Sequence, residues 1–256
     1  LSSQSLCWDL STFQIAWWIM TDPSHTSKGF PEPSGRFAGS ELSSVAGHFN
    51  HLQVPLHYER DYSYPLVVWL SPKSKERQEV TEFARSLSLR NYVITAPFLT
   101  PSLIRASHSS AAPTEFATAV NCSIEHAMQK MRIHPQRIFL VAEQDFLHAT
   151  LNSTHLIHHE ISGIASLLRS SQLPNPPCSS LSGLHSLPPL FFCISELGYH
   201  LKHQIEQPWR LFHSLGYKVR FKTMAPGHGF QHSALRNIDR SVSYTHLTLP
   251  TSSVVL

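Results

Sequence analysis

Apolar positions recur along this chain with two spacings. Runs at residues 65–70, 92–96, 137–141, 161–168 and 190–194 predict strands, and the unbroken run at 65–70 suits a central strand buried on both faces. Between the runs, apolar residues fall three and four apart, the spacing of one helix face. Val80, Phe83, Ala84 and Leu87 make one such stripe, in a helix that Ser74 is placed to cap. Phe116, Val120, Ile124, Ala127, Met128 and Met131 make another, over residues 114–131. A third helix is predicted over residues 145–158, with Asp145 early enough for its carboxylate to suit the dipole. Pro208 suits the first turn of a fourth, which buries Leu211, Phe212 and Leu215 and stops at Gly216. Residues 54–58 read as a short strand, and residues 218–223 alternate as an edge strand does.

Strands that alternate with helices predict an α/β domain, a mostly parallel central sheet with helices on both faces. The domain is expected over residues 51–240. Residues 1–50 show little periodicity and are cut by Pro23, Pro31 and Pro33, so they read as a loosely ordered leader. Residues 98–112 and 170–189 read as long loops. Residues 241–256 resemble a translated sequencing adapter and are set aside as an artefactual tail.

Composition narrows the class. With 41% apolar and 14% charged residues the chain is globular rather than disordered. The net charge of +3 is small and the basic residues are scattered, so no nucleic-acid partner is expected. The apolar run at residues 13–20 is too short for a membrane span, and no basic residue precedes it as in a signal peptide. The four cysteines, Cys7, Cys122, Cys178 and Cys193, form no CxxC pair. Cys122 and Cys193 read as small core residues, and cysteine usage favours a reducing, cytoplasmic setting. Eighteen histidines are many, yet no HExxH pattern occurs. His155, His158 and His159 share a helical face by spacing, and a solvated polar face is the expected reading. No metal or other cofactor is expected.

Four blocks carry a resemblance. They are Tyr64-Pro65-Leu66-Val67-Val68-Trp69-Leu70, Ser88-Leu89-Arg90-Asn91-Tyr92-Val93, His134-Pro135-Gln136-Arg137-Ile138-Phe139-Leu140 and Pro226-Gly227-His228-Gly229. In this order and spacing they resemble the phospholipase/carboxylesterase family of α/β-hydrolases, over residues 52–240. The resemblance implies an α/β-hydrolase fold and a serine esterase acting on carboxylic esters or thioesters.

Carried over position by position, the resemblance places the nucleophile at Gln144, the triad acid at Gly198 and the histidine at His228. An amide has no ionisable nucleophilic oxygen. A glycine cannot orient an imidazole, and Glu196 stands two residues early. Ala142 keeps one of the small residues that flank a nucleophile, but Phe146 replaces the other, and its bulk is expected to relax the strained turn. The oxyanion loop falls on Ser71, Pro72 and Lys73, where Pro72 has no N–H to donate. The second oxyanion donor would be the N–H of Asp145, whose carboxylate opposes a developing oxyanion.

The expectation is therefore a carboxylesterase-like protein without efficient catalysis, holding at most a small ester-like ligand in a vestigial cleft. The alternative is an active ester or thioester hydrolase with relocated catalytic residues. A carboxylate nucleophile at Asp145 or Glu143 is the weaker form of that alternative.

Overall fold

The computed structural model describes residues 41–45, 48–100, 103, 113–168, 187–195, 201–224 and 230–244. Eight strands build one sheet: β1 (Glu41–Val45), β2 (His48–Gln53), β3 (Tyr64–Leu70), β4 (Val93–Pro97), β5 (Ile133–Glu143), β6 (Ile161–Leu168), β7 (Leu190–Ser195) and β8 (Val219–Met224). Their order across the sheet is β1-β2-β4-β3-β5-β6-β7-β8. β2 runs antiparallel to both β1 and β4, and every other pairing is parallel. The helices are α1 (Arg77–Leu87), α2 (Pro113–Lys130), α3 (Gln144–Ser153), α4 (Leu201–Ser214) and α5 (Phe230–Tyr244).

The strand pleat sorts the core into two layers. Leu66, Val68 and Leu70 of β3, with Ile138, Leu140 and Ala142 of β5, face a cluster that includes residues of α2, α3 and α4. Val67, Trp69, Phe139 and Val141 point the other way, toward α1 and α5. On that side Trp69 stacks on Phe83 of α1 at 4.6 Å between ring centres. The predicted α1 stripe is the buried one: Val80, Phe83, Ala84 and Leu87. The expected mostly parallel sheet, covered on both faces, is what forms.

Several boundaries differ from the sequence reading. Residues 41–45 and 48–50 already belong to strands, so the sheet starts inside the stretch read as leader. The strand expected at 54–58 is a turn-rich connection, and its place is taken by β2, whose Asn50, His51 and Gln53 are polar yet buried. Ser74 does not cap α1. Its hydroxyl donates to the Pro97 carbonyl at 2.7 Å, and the helix starts at Arg77. β5 begins before Pro135, within a register shift that separates Tyr64↔Ile133 from Leu66↔Ile138, and such irregularities tolerate proline.

Pro208 lies inside α4 rather than in its first turn. The helix reaches back to Leu201 because Ile205 packs on the core ahead of the proline, as Phe212 does after it. α5 continues to Tyr244, with Val242 buried, so the first four residues of the stretch set aside as a tail lie in a helix. α3 ends at Ser153 and passes into a single 3-10 turn, Thr154–Leu156. His155, His158 and His159 therefore do not share one α-helical face. Cys193 is buried, as expected, but Cys122 is only half-buried.

Candidate functional site

The site predicted from the sequence lies at the carboxyl ends of β3 and β5, the sheet's two central strands. Leu70 pairs with Ala142, so Ser71 and Glu143 come next to each other as the strands finish. β6 holds the other side of β5, where the Ser166 hydroxyl donates to the Ala142 carbonyl at 2.8 Å. In open α/β sheets this edge of the sheet is where ligands bind.

Gln144 opens α3 and is half-buried. The residue before it, Glu143, is extended, with φ −68° and ψ 160°. Among the described residues His57 is the one non-glycine with positive φ, so neither Glu143 nor Gln144 is in the left-handed region. The turn lacks the backbone strain that lifts a nucleophile out of such a sheet. Phe146 explains the relaxed turn. It is fully buried and lies beside Phe116 of α2, with rings 6.2 Å apart and 20° from parallel. The buried ring anchors α3 against α2. Asp145 stays exposed in the first helical turn, where its charge suits the dipole.

The loop after β3 is closed upon itself. The buried Ser71 hydroxyl donates to Glu143 Oε1 at 2.9 Å and accepts the Lys73 N–H at 3.1 Å. The Ser74 N–H donates to the Ser71 carbonyl at 3.1 Å. Pro72 has no N–H. The backbone donors of Lys73 and Ser74 are thus satisfied within the loop, and an oxyanion would have to displace those bonds. The Lys73 ammonium points to Glu79 of α1 at 3.3 Å, on the exposed side.

The Ser71–Glu143 pair was not singled out from the sequence. The available signal was positional: each residue stands at the end of a central strand, one register step past a buried apolar pair. Glu143 precedes α3 yet makes no side-chain capping bond. The structure thus brings Ser71, Pro72 and Lys73 to the same sheet edge as Gln144 and Asp145. Gly198 and His228 lie outside the described residues, as does Glu196. Among the described residues there is no group of three or more His, Cys, Asp and Glu side chains that could hold a metal ion. No described helix is long and apolar enough to cross a membrane.

Burial shifts several titrating groups among the described residues, Cys193 and His159 among them. Cys193 of β7 has its thiol pushed up to about 12, mainly by desolvation, with Lys222 opposing. Its Sγ lies 3.6 Å from the Ala234 carbonyl, inside the α5 layer. His159 is held below the usual histidine range, again chiefly by burial. Neither lies at the β3–β5 edge.

No family model matches the chain, and no curated protein matches it. Solved structures do. Esterase 2 of Thermogutta terrifontis, phosphorylated by paraoxon, is similar at a TM-score of 0.55 and 12% identity, over 87% of this chain and all 100% of that one. A fluorophosphonate-binding serine hydrolase of Staphylococcus aureus, FphF, is similar at 0.53 and 9%, over 80% of this chain and 96% of that one. A thermostable esterase is similar at 0.50 and 13%, over 81% of this chain, which spans 60% of the esterase's length. At such identities the likeness speaks to architecture. Strand order, sheet direction and these neighbours agree: the chain has the α/β-hydrolase fold.

Proposed function

We infer that this chain descends from ester hydrolases and no longer performs efficient ester hydrolysis, keeping the cleft above β3 and β5 for a small ester-like ligand. The observation that carries the reading is Gln144 at the β5–α3 junction, without backbone strain and without a hydroxyl. Two features support it. The Ser71–Glu143 bond ties down the loop that would shape an oxyanion hole. Phe146 fills the space a tight turn would need. Loss of a serine nucleophile alone costs roughly a million-fold in such enzymes.

The test compares the full chain with its His228→Ala variant on short-chain aryl esters and acyl thioesters. The expected result is no saturable turnover by either protein. Turnover that His228→Ala abolishes would overturn the reading, and would favour relocated catalytic residues acting with a retained imidazole.

A further inference from the structure

A concavity lies at the end of the sheet opposite the β3–β5 edge. It has a volume of about 250 Å³ and opens where β6, β7 and β8 begin. Phe139, Ala165 and Phe191 form its sheet side, and Ile238 and Val242 of α5 its helix side. Gly163 contributes no side chain to the wall. A Cβ there would come within 3.3 Å of Phe139 Cδ1, so glycine lets the Phe139 ring lie against β6.

The pocket's polar features are mostly cationic. Lys218, just ahead of β8, and Arg220 of β8 both line it. Arg220 pairs in register with Phe191, so the two side chains leave the sheet on the same face. No Asp or Glu lines the pocket, and among the described residues neither cation forms an ion pair. An apolar body with an anionic head matches this lining. A volume near 250 Å³ suits one ring or a short alkyl chain, since a cavity of ~150 Å³ already takes benzene.

We propose that this pocket binds a small amphipathic monocarboxylate, with its apolar body against Ala165, Phe191 and Ile238 and its carboxylate held by Lys218 and Arg220. The site is separate from the β3–β5 edge and does not depend on whether that edge is active.

The test titrates the full chain with 3-phenylpropionate and with its neutral analogue 3-phenylpropan-1-ol, followed by methyl-resolved NMR. The acid is expected to shift the methyls of Ala165, Ile238 and Val242 saturably. A Lys218→Gln/Arg220→Gln double variant should weaken the acid about fivefold or more and leave the alcohol unchanged. Both cations are exposed, so the variant should unfold at the same temperature as the parent. The acid's advantage should shrink as salt rises. Equal affinity for acid and alcohol, an unchanged affinity in the double variant, shifts that map elsewhere, or no saturable shift would each overturn the proposal.

Discussion

Phe146→Ala probes what anchors the unstrained turn between β5 and α3. The ring is fully buried and lies beside Phe116, so truncation removes its apolar surface and leaves a void between α2 and α3. Phe→Ala in a core costs about 3–5 kcal/mol, and a stacked aromatic pair contributes about 0.5–1.5 kcal/mol of that kind of loss. The neighbours Leu147, Val120 and Ala142 are packed in the same layer, which limits collapse of the void. Urea unfolding of parent and variant would give the difference directly, provided the slope with denaturant is unchanged. A loss of 3 kcal/mol or more is expected. A loss under about 1 kcal/mol would mean that the ring does not anchor α3. The explanation for the relaxed turn would then fail.

Three other changes separate local causes. Tyr92→Phe removes the hydroxyl that donates to Asp239 Oδ1 at 2.7 Å and ties the β4 end to α5; a loss of about 1.5–3 kcal/mol in urea unfolding is expected for a bond to a charged group. Gly216→Ala forces a Cβ into φ +90° just after α4, where space is ample but conformation is not; thermal unfolding should show a cost of about 1–2 kcal/mol. Cys193 should resist alkylation in the folded protein and react only on unfolding, read by peptide mass spectrometry. The sign of its pH effect follows from a folded value raised from 9.0 to about 12: the unfolded thiol ionises first, so its contribution holds below pH 9 and is lost as pH rises toward 12.

Strands packed between two helix layers announced themselves in the sequence. β3 and the second half of β5, residues 138–142, are continuous apolar runs because both faces are covered, and α1 buries the four residues its spacing picked out. β2 was illegible for the converse reason. Its buried Asn50, His51 and Gln53 carry no apolar period, and it is specified by backbone pairing to β1 and β4. Ser74 misled because its hydroxyl had a tertiary partner, the Pro97 carbonyl, that local spacing cannot reveal. At the site, Gln144, Pro72 and Phe146 stood out only through the family resemblance, which implies a nucleophile, an oxyanion loop and a small flanking residue at those positions. The Ser71–Glu143 bond spans 72 positions and needed the β3–β5 register to become visible.

A reactive fluorophosphonate, incubated with the folded full chain and located by peptide mass spectrometry, asks whether any side chain here is an activated nucleophile. No stoichiometric adduct on any residue is the outcome that the proposed loss of an attacking oxygen at Gln144 predicts. A stoichiometric adduct on a serine, lost when the chain is unfolded beforehand or when His228 is changed to alanine, would contradict it.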